Sequence, residues 1–80
     1  MGIPMLPITL PELGSVPVTF GLWHVGVGER VLEGERVAEV RIRGAVVDLP
    51  APATGTLTEQ FARPLDTLHT GQTLGTVSAE

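Results

Sequence analysis

Apolar and polar residues alternate with period two over short stretches of this chain, and glycine or proline ends each stretch. The clearest case runs from Val16 to Trp23. Val16, Val18, Phe20 and Leu22 share one face, while Pro17, Thr19, Gly21 and Trp23 share the other. Successive side chains of a strand point to opposite faces, so this stretch reads as a half-buried strand. The same reading predicts strands at Ile8–Leu10, Val31, Val37–Ile42, Ala45–Leu49, Gly55–Phe61, Leu68 and Thr73–Val77. Val, Thr and Ile dominate between the breaks, which suits a pleated, half-buried surface.

Helix has almost no room. Ten glycines and seven prolines punctuate the chain, and the longest stretch free of both is nine residues, Glu35 to Arg43. Its apolar residues Val37, Val40 and Ile42 hold no sustained helical stripe. Many short strands in a small chain predict an all-β sandwich or barrel.

Trp23 falls out of phase with the apolar set of its strand. Either a bulge at Gly21 re-aims it, or it covers an outer face as a packing residue. A ligand platform is the third reading.

The chain also repeats itself. Residues 28–37, GERVLEGERV, align with residues 65–74, LDTLHTGQTL, at an offset of 37. Acid matches acid at Glu29 and Asp66. Apolar residues match at Val31 and Leu68 and at Val37 and Leu74, and Gly34 matches Gly71. The same offset sets Phe20 on Leu57 and Val40 on Val77; the leading Gly28 fails, against Leu65. A half of this size cannot bury its own apolar face. Two halves related by a pseudo-twofold axis, clamped face to face, predict a flattened barrel of two four-stranded antiparallel sheets.

Composition narrows the chemistry. Nine acidic residues outweigh five basic ones, for a net charge of −4. Nucleic-acid binding rests on a basic surface and is not expected. No apolar run approaches the ~20 residues of a membrane span, and no targeting signal stands out. A soluble cytoplasmic domain is expected. Cysteine is absent, so disulfides and thiol chemistry are excluded on this chain. All five basic residues are arginine: Arg30, Arg36, Arg41, Arg43 and Arg63. The chain has no lysine, and hence no side-chain amine.

These residues resemble a lipoyl domain, the swinging-arm carrier of 2-oxo-acid dehydrogenase complexes, and less closely a biotin carrier domain. That family opens on P-x-L-G, matched by Pro11-Glu12-Leu13-Gly14, and continues to a Trp, matched by Trp23. Its G-D-x-V-x-x-G-D-x-L-x-E-V stands here as residues 28–40, GERVLEGERVAEV. Ala45, Asp48, Leu49, Ala51-Pro52 and Gly55 follow its next motif, and residues 68–74, LHTGQTL, its late V-x-V-G-x-x-L. The resemblance runs from residue 8 to residue 77 and implies the paired four-stranded sheets already expected from the repeat. It sets residues 8–77 as the domain, 1–7 as an N-terminal extension and 78–80 as a C-terminal tail.

The departure from the family lies at its functional centre. Family members carry E-T-D-K-A at a hairpin tip, and the lysine bears lipoate through an amide. Here the tip reads Arg41-Ile42-Arg43-Gly44-Ala45, which aligns Gly44 with the lysine and the two arginines with the acids. An Arg-Gly pair between Ile42 and Ala45 makes a tight turn, because glycine tolerates positive φ. Gly44 reads as a turn residue, or as a place where a partner's backbone approaches closely. Arg41 and Arg43, two apart on a strand, are expected to point to one side. They suit an acidic partner or a phosphate, or stand as solvated charges that blunt an edge.

Other constellations are weak. His24 and His69 lack metal-ligand spacing, and no Cys or nearby acid completes a site, so no metal is expected. Ser15 and Ser78 lack a nucleophile-elbow sequence, and residues 26–29 lack the third glycine of a dinucleotide fingerprint. Glu29, Glu33, Glu35 and Glu39 read as a solvated face. No catalytic residue and no cofactor are expected. The expected function is a non-catalytic, lipoyl-domain-like module with an interaction or packing role among acyltransferase-complex components. Its possible interaction tip comprises Arg41, Arg43, Gly44 and Ala45. The alternatives are a free-standing structural or adaptor domain, such as the lipoyl-like parts of efflux adaptors, and a carrier with a non-covalent group in an acyl-transfer complex.

Overall fold

The computed structural model describes residues 2–80; Met1, the first residue of the expected extension, lies outside them. Eight strands follow in chain order: β1 (Met5–Thr9), β2 (Val18–Trp23), β3 (Arg30–Val31), β4 (Arg36–Ile42), β5 (Ala45–Pro50), β6 (Gly55–Gln60), β7 (Thr67–Leu68) and β8 (Thr73–Ala79). They form two four-stranded sheets, ordered β1-β8-β6-β3 and β5-β4-β2-β7. Every pairing is antiparallel. No helix occurs among the described residues, and so none long and apolar enough to cross a membrane.

The sheet orders carry the predicted twofold relationship. Exchanging β1 with β5, β2 with β6, β3 with β7 and β4 with β8 turns one sheet into the other. The last three pairs coincide residue for residue at the offset of the sequence repeat. Backbone hydrogen bonds repeat too. The Leu57 amide donates to the Glu29 carbonyl at 2.9 Å, as the Phe20 amide does to the Asp66 carbonyl at 2.9 Å. Even side chains follow. Glu35 Oε1 accepts the Leu32 amide at 3.1 Å, and Gln72 Oε1 accepts the His69 amide at 2.9 Å.

The core lies between the sheets and is built from the matched apolar positions. Phe20 and Leu57, Val37 and Leu74, and Val40 and Val77 are all essentially inaccessible to solvent. Val31 and its counterpart Leu68 are likewise buried. No polar or charged residue joins them among the described residues, so the packing force is apolar burial alone.

The strand ends depart from expectation. β1 begins at Met5, inside the segment expected to precede the domain, and β8 runs to Ala79, inside the expected tail. These ends are tied together: Met5 pairs with Ser78, and the Ala79 amide donates to the Pro4 carbonyl at 2.9 Å. Pro7 hides this extension from a sequence reading. Proline lacks an N–H and is tolerated on an edge strand, and β1 is one. At the other boundary, Pro17 marks why β2 starts at Val18 rather than Val16.

Candidate functional site

The hairpin of β4 and β5 closes through two residues. Ile42 pairs with Ala45, leaving Arg43 (φ 49°) and Gly44 (φ 81°) as the loop. Positive φ at both central positions is the type I′ arrangement, whose twist matches the flanking strands. Glycine is at ease at the second position, and a side chain added there would meet open space. Arg43 belongs to the turn and not to the strand, which corrects the expectation that it points with Arg41 from one strand face. Arg41 instead leans along β4 to Glu39, with Nη2 at 3.8 Å from Oε2. Arg43 makes no ion pair among the described residues. The tip thus offers one free guanidinium, the exposed Ala45 and exposed backbone, and no nucleophile.

A second cluster lies on the outer face of the same sheet. Glu39 of β4 stands opposite Asp48 of β5, and His24 follows directly on β2, the neighbour of β4 on its other side. The His24 amide donates to the Val37 carbonyl at 2.8 Å, which fixes the residue beside β4. Its Nε2 lies 3.2 Å from Asp48 Oδ1 and 3.9 Å from Glu39 Oε1. Arg36 Nη1 reaches the other Asp48 oxygen at 3.3 Å. Hydrogen bonding from His24, then from Arg36, holds the Asp48 carboxyl below the ordinary carboxylate range. Together with Val25, Glu35 and Val46, these residues line a shallow cavity of about 420 Å³.

The fold thus brings to His24 two acids that its sequence neighbourhood does not supply. The acids are distant in sequence and are brought in by strand register. The signal was available at the tip. Counting back from Ile42 and forward from Ala45 in step reaches Glu39 and Asp48. His69 takes no part; its amide is bound in the turn before β8. The expected acidic face also divides. Glu29 and Glu35 accept backbone amides within tight turns, whereas the Glu39 side chain is only 15% exposed and belongs to the cluster.

Trp23 is placed by a bulge. The β2–β4 register shifts between Phe20 and Leu22, so Gly21 is the extra residue that turns the indole. The ring packs on the core with its centroid 5.2 Å from that of Phe20, and Nε1 donates to the Ala62 carbonyl at 3.0 Å. It is a packing residue with its polar atom satisfied.

Comparison with known proteins agrees with this architecture. A sequence profile for the family described as "Biotin-requiring enzyme", the biotin/lipoyl family, matches residues 7–77. The chain is 34% identical over 74 residues to the dihydrolipoyllysine-residue succinyltransferase component of the 2-oxoglutarate dehydrogenase complex of Bartonella vinsonii subsp. berkhoffii. That match takes in 90% of this chain and 18% of the relative, so the chain spans about a fifth of the relative's length. The solution structure of the lipoyl domain of the 2-oxoglutarate dehydrogenase complex from Azotobacter vinelandii superposes with a TM-score of 0.64 at 27% identity. It covers 96% of this chain and 91% of that one. By profile, sequence and fold, the chain belongs to the biotin/lipoyl family.

Proposed function

We propose that this chain is a lipoyl-type module that has lost covalent carriage and keeps a protein-interaction or packing role. The observation that carries the reading is the absence of lysine anywhere in its 80 residues. Neither lipoate nor biotin has a side-chain amine to join. On this reading Gly44 stands where the family's modified lysine is expected, on a turn whose conformation suits glycine. Codon bias removes incidental lysines, but it does not readily remove one on which a carrier depends.

The partners proposed are components of an acyltransferase complex, by kinship with the succinyltransferase relative. Arg43, Gly44 and Ala45 would meet such a partner first, with Arg41 beside them. The role is not catalytic, because the tip offers neither a nucleophile nor a cleft.

Intact mass of the chain, expressed with lipoate, biotin and their ligases, tests the first part. The expected mass is that of the unmodified polypeptide. An adduct of either group would overturn the proposal. Pull-down with purified 2-oxo-acid dehydrogenase components tests the second part. Retention that Arg43→Glu abolishes is expected, and retention indifferent to the tip would refute its role.

A further inference from the structure

The geometry points to a divalent transition-metal site of the zinc class, held by His24 Nε2, Asp48 Oδ1 and Glu39 Oε1 on the outer face of the β5-β4-β2 sheet. It departs from the expectation of no metal and goes beyond the proposed interaction role.

Three observations carry it. First, the donor atoms already converge, all lying within 4.8 Å of one another. Donors around a tetrahedral zinc stand about 3.3 Å apart, given bonds of about 2.0–2.1 Å. His24 and Asp48 meet that separation at 3.2 Å, and His24 to Glu39 at 3.9 Å needs only a small contraction. Second, Glu39 and Asp48 are paired strand positions, and the His24 amide, bound to the Val37 carbonyl at 2.8 Å, holds His24 beside β4 just beyond the end of β2, so backbone pairing sets the spacing of the donors. Third, two carboxylates directly opposite on paired strands repel each other, and such a pair calls for positive charge between them. Arg36 and Arg41 take the outward oxygens, Asp48 Oδ2 and Glu39 Oε2. The inward oxygens are left facing the imidazole.

The donor set selects the ion. One imidazole with two carboxylates suits zinc and its first-row neighbours, whereas calcium and magnesium favour sites made wholly of oxygen. Three protein ligands leave a fourth position open toward the cavity, for water. On binding, Nε2 presents its lone pair, and the remaining ring hydrogen resides on Nδ1. The hydrogen bond between His24 and Asp48 is exchanged for two metal bonds.

The test uses the untagged full chain titrated with Zn²⁺ by calorimetry, with His24 ring nitrogens followed by NMR. One Zn²⁺ per chain is expected, with the change centred on Nε2. His24→Ala, Asp48→Asn and Glu39→Gln should each weaken binding by about tenfold or more, and His69→Ala should leave it unchanged. Arg36→Gln frees an Asp48 oxygen and lifts a repelling charge, so it should tighten binding. That variant touches an exposed side chain, so it keeps the test decisive if a ligand variant unfolds. Absence of saturable binding, binding indifferent to His24→Ala, or weaker binding in Arg36→Gln would each overturn the site.

Discussion

Leu65 holds the left-handed backbone conformation of its repeat partner Gly28, with φ at 74° against 94°. Both precede the matched acids Asp66 and Glu29, and both amides donate to the neighbouring strand of their own sheet, Leu65 to the Phe20 carbonyl of β2 and Gly28 to the Leu57 carbonyl of β6. This position, where the sequence repeat fails, is therefore matched in conformation between the halves. A side chain with a Cβ pays about 1–2 kcal/mol there. Leu65 recovers nothing by burial, being 83% exposed. Glycine removes that strain but adds about 0.5–1 kcal/mol of chain entropy on folding. Leu65→Gly is expected to stabilise the domain by about 0.5–1 kcal/mol, a rise of several degrees in Tm. Thermal unfolding checks it; a lower Tm would refute the strain.

The tip allows a direct test of what its charges do. Gly44→Lys should fold, because the added side chain meets open space, at a cost of about 1 kcal/mol for its positive φ. On the proposed alignment, which sets Arg41 and Arg43 against the family's acids, lipoylation of that variant by a lipoate ligase should remain poor. Adding Arg41→Glu and Arg43→Asp should raise the modification rate by about tenfold or more, the scale of electrostatic steering. Efficient modification of the single variant would show that the flanking charges do not matter.

Much of the fold was legible because its signals are local or evenly spaced. Period-two alternation places Val18 and Phe20 in the core, and the matched pairs predict a core shared equally by two halves. The turn at Arg43-Gly44 was legible for the same reason. Register was not read from it, and the cluster of His24, Glu39 and Asp48 depends on register alone. β1 was misplaced because Pro7 reads as a break, although an edge strand accepts it. Trp23 remained open between readings until the shift at Gly21 fixed the direction of the ring.

Acid should loosen the closure of the sheet that holds both chain ends. Arg30 of β3 binds Glu80 through two hydrogen bonds, at 2.5 and 2.9 Å. Hydrogen bonding to Arg30, and then its charge, holds the Glu80 carboxyl below its ordinary value. A depressed folded-state value means that the contribution is present above the unfolded value and is lost as pH falls through the folded one. The difference in stability between the wild type and Glu80→Gln should thus shrink as the solution is acidified below the carboxylate range. It should also shrink in high salt, because both side chains are at least half exposed. Denaturant titrations over a pH series measure this; a difference that is constant with pH would refute the ion pair.

The lone tryptophan gives the packing between sheets its own reporter. Trp23 on the β5-β4-β2-β7 sheet lies against Gly75 on β8 of the other sheet. A Cβ at Gly75 would stand 2.5 Å from the Glu59 carbonyl oxygen and 2.8 Å from Trp23 Cη2. Neither neighbour yields freely. Glu59 is held in β6 by its pairing with β8, and the indole is held by Phe20 and by its bond to Ala62. Gly75→Ala is therefore expected to cost about 1–3 kcal/mol, the range for overpacking. It should also shift Trp23 emission to the red as the ring is pushed toward water. Trp23→Phe keeps most of the apolar bulk but leaves the Ala62 carbonyl without its donor, a loss of about 0.5–1.5 kcal/mol. If the clash is with the ring, Gly75→Ala should cost less on the Trp23→Phe background, since the smaller ring falls short of the contact. Equal costs on both backgrounds would place the clash on the Glu59 backbone alone.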